Sequence, residues 1–366
     1  MRITFVSAAV SLVLAGTAGT AQATLNFDLS FIAGTSAQEQ AAFTAAAGMW
    51  SALFDDPVTV RLTVGTGDLA TGTLAQAGSR RIEYSYSAVR TALTNDRVSA
   101  ADNTAVANLA AGSSVGMLIN RTSDNPNGSG SATPYIDNNG SANNSLLKLT
   151  AANARSLGLG FVTGGVGSSC SDCDGFIQFN TDYTWDYDRS NGINASDFDF
   201  VGIAAHEIGH ALGFISGVDV LDINSPPVNG PFSANQFTFL STLDLFRYSA
   251  QSEASGLIDW TADRRDKYFS IDGGSTVGPQ FSTGINFGDG RQASHWKDSL
   301  GIGILDPTAG RGELLAITDN DITAFDVIGW NVIMPDVGET PEPATPALLG
   351  LALAALGALA RRRRGA

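Results

Sequence analysis

Two of the three histidines in this 366-residue chain stand four positions apart, in the segment His206-Glu207-Ile208-Gly209-His210. On a helix, residues i and i+4 share one face a turn apart, so both imidazoles can reach one ion. The flanks favour a helix. Ser196 and Asp199 have the spacing of a capping box, and Phe200, Ile203, Ala204, Ile208 and Ala211 form an apolar stripe. Gly213 offers a place for the helix to stop and the chain to turn. The implied ion is Zn²⁺, held by imidazole nitrogen at roughly 2.0–2.1 Å. Glu207, next to the first histidine, is placed to take a proton from an activated water without binding the ion.

Catalytic zinc takes three protein ligands and leaves a fourth position open. A compact continuation of the motif would place the third at Ser216, which is a poor ligand. A downstream glutamate is the other common solution, but no Glu lies between His210 and Glu253. Asp219 and Asp222 are oxygen candidates that no spacing rule selects. Elimination favours His295, the one remaining histidine, in Ser294-His295-Trp296.

His206-Glu207-x-x-His210-x-x-Gly213-Phe214, a distant Ser294-His295-Trp296, and a turn Gly303-Ile304-Leu305-Asp306-Pro307 together resemble the leishmanolysin-type branch of the metzincins. The resemblance covers roughly residues 196–308 through scattered motifs. It implies a third histidine ligand brought from far downstream and a turn packed beneath the metal. Leu305 stands where that family's turn carries methionine, a swap of similar volume. The implied fold is α+β and zincin/metzincin-like. It has a mixed twisted sheet and a long active-site helix in an N-terminal lobe of about residues 24–213. A smaller, irregular C-terminal lobe would span about residues 214–334. The resemblance also implies that a strand at Phe176–Phe179 borders the cleft and pairs with extended substrate, a sound mode of peptide binding.

Both ends of the chain read as addresses. Arg2, the apolar run from Ile3 to Leu14, and Ala21-Gln22-Ala23 have the layout of a signal peptide, residues 1–23, cut by signal peptidase. At the other end Pro341-Glu342-Pro343 precedes seventeen uncharged residues, 344–360, and then Arg361 to Arg364. That length is just enough for a transmembrane segment, with the arginines on the cytoplasmic side. The order closely resembles the PEP-CTERM sorting signal of Gram-negative bacteria, here residues 335–366. It implies export, transient inner-membrane anchoring through the C-terminal helix, and an exosortase-type enzyme as partner. The destination would be the cell surface or extracellular matrix.

Between these ends lie about 310 residues, enough for a full core. The formal charge of −15 becomes about −20 without Arg2 and the four tail arginines, which argues against nucleic acid as a partner. Cys170 and Cys173 are the only cysteines, too few for a structural zinc site. In an exported protein they read as a local disulfide, worth roughly 2 kcal/mol on the loop-entropy model. Asp186, Asp188 and Ser190 outline a Ca²⁺ loop, but Gly192 falls one position late and no bidentate Glu closes it. Ca²⁺ is therefore no more than an alternative cofactor. Periodicity predicts helices over Ser36–Phe54, Ser145–Leu157 and Thr318–Trp330. It predicts a strand over Val58–Val64, and composition makes Thr122–Asn144 a long surface loop.

The residues thus lead to the expectation of an exported zinc endopeptidase acting on polypeptide. His206, His210 and His295 would be its ligands, Glu207 its general base, and Gly213 and Leu305 its structural supports. No Tyr or Arg is selected by spacing to stabilise the oxyanion. The alternatives are an inert zinc-fold surface or matrix binding protein, and an amidase or self-processing enzyme. An intact Glu207 argues against the first, because a purely structural site needs no base.

Overall fold

The computed structural model describes residues 24–160, 173–230 and 232–333. The signal peptide expected at 1–23, Cys170, and the tail at 335–366 with its apolar run 344–360 lie outside the described residues. Among the described residues no helix is long and apolar enough to cross a membrane.

The mixed α+β character follows from one four-stranded sheet and the helices packed on it. Its strands are β1 (Asn26–Phe31), β2 (Thr59–Gly67), β3 (Ala75–Ser79) and β4 (Gly175–Asn180), in the order β1-β2-β4-β3. β1, β2 and β4 run parallel, while β3 runs antiparallel to β4 at the edge. Val60, Leu62 and Val64 alternate into the core, as the period of two requires, and Ile177 and Phe179 do the same on β4. The strand expected to border the cleft is therefore corrected. Phe176–Phe179 belongs to β4, which is paired on both sides, and β3 is the edge strand.

Two helices meet on this sheet. α1 (Ala37–Ser51) starts at Ser36, whose capping box with Glu39 satisfies two backbone donors. Its buried Ala42, Phe43, Ala46, Ala47 and Trp50 pack against α2 (Phe200–Leu212), which carries the histidine motif. The Trp50 indole N–H donates to the Ala205 carbonyl at 2.9 Å. Phe43, Phe179 and Phe200 close the triangle between α1, β4 and α2, with ring centres 4.2–5.3 Å apart.

The capping box expected from Ser196 and Asp199 is not formed. Asp199 is itself the N-cap, accepting from Gly202 N at 2.9 Å, and its carboxylate also pairs with Arg189 at 3.2 Å. The far end stops at Gly213, whose φ of +126° disfavours any side chain. A Cβ there would also lie 3.0 Å from Asn153 Cβ.

Two further expectations need correction. Within Ser145–Leu157 the first half is a strand, Leu146–Thr150, paired antiparallel with Arg81–Ser85. Only Ala151–Ser156 is helical. Leu147 and Leu149 are buried on either side of Lys148, so this is a period of two read as a helix. Thr122–Asn144 holds a strand, Tyr135–Asp137, and a short helix, Ala142–Ser145. Its asparagines are drawn inward to bond backbone: Asn144 Nδ2 donates to Val115 O and Asp137 O at 3.0 and 3.1 Å. Past Gly213 the elements are short, and Ile258–Asp259 pairs back in parallel onto Met117–Leu118.

The last helix, α3 (Asp319–Val327), starts with a capping box of Thr318 and Asp321. Beyond it Trp330 Nε1 donates to Leu212 O at 2.9 Å, tying the end of the domain to the end of α2. Asn331 N then donates to the buried Asp56 carboxylate at 2.8 Å.

Burial pushes Asp56 from its ordinary 3.8 up to about 7, outweighing the bonds from Asn331. Between these values the unfolded chain has released the proton and the folded chain keeps it. Raising the pH through this window therefore favours unfolding. Asp56→Asn removes the effect, so its melting temperature should fall less than the wild type's from about pH 4 to about pH 7. Thermal melts at both pH values decide the matter, and identical slopes would exclude Asp56 as the source.

Candidate active site

The fold brings His206 and His210 of α2 together with His295, which arrives 85 residues after His210. The three Nε2 atoms form a nearly equilateral triangle. His206–His210 and His210–His295 are each 3.1 Å, and His206–His295 is 3.3 Å. Each Nδ1 faces a backbone carbonyl: Ile304 O for His206 and Phe214 O for His210, both at 2.7 Å, and Gln292 O for His295 at 3.3 Å. A carbonyl only accepts, so each ring must carry its proton on Nδ1. In the neutral ring Nε2 is then a bare lone pair.

Burial favours the neutral form of all three rings. Burial pushes His206 down to about 4 and His210 down to about 3, and it holds His295 well below its ordinary value. Among the described residues this is the group of His, Cys, Asp or Glu side chains whose ligand atoms converge well enough to hold a metal ion.

Glu207 is buried on the same helix and lines the same cleft. Burial pushes its carboxyl up to about 8. Its carboxylate accepts no hydrogen bond from the described residues.

Asp219 and Asp222, the alternative third ligands, stay outside this triangle and act as braces. Asp219 accepts from Ala293 N at 2.6 Å, from Ser294 N at 3.2 Å, and from the Ser294 hydroxyl, fixing the two residues before His295. Asp222 accepts from the backbone of Asn286 and Phe287 at 2.8 and 2.9 Å. Ser216, where the compact motif would seek a ligand, donates its hydroxyl to Asp244 at 2.6 Å. Its amide donates to Ser294 Oγ at 2.8 Å.

Asp321, at the start of α3, was not singled out by sequence. It accepts from Trp296 Nε1 at 2.8 Å and from Ile304 N at 2.9 Å. One carboxylate thus holds the neighbour of His295 and the turn whose carbonyl orients His206. Trp296 N donates to Leu305 O at 2.9 Å, and Leu305 is fully buried. Its methyls press on Gly209, between the two helix histidines, where a Cβ would come within 3.2 Å.

The site opens into a cleft of about 860 Å³. One wall is the edge strand β3. Others are Ile215, Val220 and Ile223 after α2, and Asp306 to Ala309 after the Leu305 turn. Arg81 and Tyr183 also line it, neither of them indicated by spacing.

The outlined Ca²⁺ loop is built differently. Asp186 accepts from the amides of Asp188 and Asn194, and Asp188 from Ser190, so these carboxylates close turns and do not converge. Cys173 is disulfide-bonded.

Comparison with known protein families matches residues 339–364 to the PEP-CTERM protein-sorting motif. The tail marks an exported protein, sorted to the cell envelope or surface and recognised by an exosortase-type enzyme. No curated protein and no solved structure matches the chain.

The brace on the His295 loop makes a prediction that needs no ligand. Asp219→Ala removes three hydrogen bonds from Ala293 and Ser294 and should cost about 2 kcal/mol of stability. Amide exchange at these two residues should rise well above that of α1. Unchanged exchange there would show that the loop holds itself.

Proposed function

We propose that the chain is an exported zinc-dependent endopeptidase. The observation that carries this reading is the triangle of bare Nε2 atoms beside an unengaged glutamate in an open cleft. Three ligands around zinc at roughly 2.0–2.1 Å and tetrahedral angles would stand about 3.3–3.4 Å apart. The edges of 3.1, 3.1 and 3.3 Å fit that figure closely. The donor set fits as well. Three neutral imidazoles suit zinc and leave a position for substrate or water, and each is oriented through its other nitrogen. Without a cation, three lone pairs this close would repel one another with no proton to bridge them.

When bound, zinc supplies Lewis acidity toward water and the scissile carbonyl. The rest of the chemistry belongs to the chain. Glu207 takes a proton from the attacking water and delivers it to the leaving amine. Its burial keeps the carboxylate desolvated and basic, while a nearby dication favours the charged form. Among the described residues β3 is paired on one side only, and its small side chains Ala75, Ala77, Gly78 and Ser79 lie beside the cleft. An extended polypeptide can add to that edge through backbone hydrogen bonds.

The edge favours polypeptide over the compact substrates of an amidase. The unengaged Glu207 favours hydrolysis over an inert zinc-fold binding role. The leishmanolysin-like arrangement, with His295 as distant third ligand and Leu305 in the underlying turn, belongs to this same reading.

The test is zinc content and casein hydrolysis for wild type, His295→Ala and Glu207→Gln. Wild type should bind one zinc per chain, and His295→Ala should lose most of the zinc and the activity. Glu207→Gln should keep the zinc and lose roughly 10²–10⁴-fold in turnover. Zinc retained in full by His295→Ala, or full activity in Glu207→Gln, would sink the proposal.

A further inference from the structure

Two cations line the cleft among the described residues, Arg81 and Arg291. Arg291 is paired with Asp298 at 2.9 Å. Arg81 forms no ion pair and donates no side-chain hydrogen bond among the described residues. It opens the strand Arg81–Ser85, two residues beyond the end of β3. Ile82 points into the core, so the alternation of the strand sends Arg81 to the other face, onto the cleft.

Arg81 lines the same cleft as His206, Glu207, His210 and His295. Burial lowers the pKa of Arg81 itself, and Asp219 and Asp244 act on it without closing to an ion pair. Both carboxylates are engaged elsewhere. Asp219 holds Ala293 and Ser294, and Asp244 holds Ser216, Gly217, Ser241 and Trp260. A half-buried guanidinium with five donors and no partner among the described residues is free to offer them to a ligand in the cleft.

We propose that Arg81 binds a carboxylate of the substrate next to the scissile bond, so that the cleft selects acidic peptides. The inference rests on the peptidase reading and adds a substrate class to it. The planar fork of Arg matches a carboxylate in two parallel bonds. Two sources present that group: an Asp or Glu side chain within the peptide, or a free C-terminus close to the cut. Arg81 is a specificity residue in this account and takes no part in proton transfer.

The experiment uses the full chain with two sets of fluorogenic peptides. One set differs in Glu against Gln beside the scissile bond, with both ends blocked. The other keeps Gln and compares a free with an amidated C-terminus one or two residues past the bond. Binding of the same peptides to the Glu207→Gln protein, read by fluorescence anisotropy, runs in parallel. A failure of hydrolysis would count against the peptidase reading, and the binding ratio would still decide the role of Arg81.

Wild type should favour the carboxylate by roughly 10- to 100-fold in at least one set. Arg81→Gln should bring that ratio close to one, and Arg81→Lys, which keeps the charge without the fork, should fall between. The responding set identifies the source. No preference in either set, or a preference that survives Arg81→Gln, would overturn the proposal. The wild-type ratio tests it even if Arg81→Gln does not fold.

Discussion

Everything in this structure is arranged around holding three like atoms closer than they would choose to be. The Nε2 atoms of His206, His210 and His295 meet within 3.3 Å although 89 residues separate the first from the last. Each ring is aimed by a carbonyl bonded to its far nitrogen, and those carbonyls come from the Ile304 turn, the exit of α2, and the loop before His295. Two of these three segments are in turn held by carboxylates. Asp321 grips the Ile304 amide and the Trp296 indole together, and Asp219 grips the amides before His295. A misplacement of about 1 Å would undo such a site. Its precision comes from buried hydrogen bonds between segments distant in sequence.

How much of this could be read from the sequence depends on the range of the interaction. His206, Glu207 and His210 were legible because an i, i+4 pair on an apolar-striped helix is a local pattern. His295 was legible by scarcity, since the chain has three histidines. Asp321 has a local role in the capping box of α3, but its second task lies 25 residues away at Trp296 and leaves no local signal. Asp219 has the right side chain for a ligand, and nothing local shows that it is a brace instead. Its contact with Ser294 spans 75 residues and leaves no local signal.

Two strands are hidden in the sequence for a related reason. Leu146–Thr150 and the helix after it share one apolar run, and only pairing with Arg81–Ser85 separates them. β3 reads Ala75-Gln76-Ala77-Gly78-Ser79, with little β propensity and no apolar alternation, so nothing local announces it. Its existence is fixed by β4, whose Phe176–Phe179 is the conspicuous strand. The conspicuous strand is in the interior because it is apolar, and the inconspicuous one is at the edge because it is not.

The described ends of the chain meet at one corner. Leu25 N donates to Phe54 O at 3.3 Å, and Phe54 also bridges to Val332. Ile333 N donates to Leu53 O at 2.8 Å. Trp330, two residues before Val332, caps a carbonyl at the end of α2. The stretch that leads toward the sorting motif at 339–364 is therefore anchored by the same corner that receives the first strand. These anchors act before residue 334, so they do not depend on the motif itself. A chain exported and then trimmed beyond that point would keep the Trp330 hydrogen bond to Leu212 O and the bridge between Phe54 and Val332.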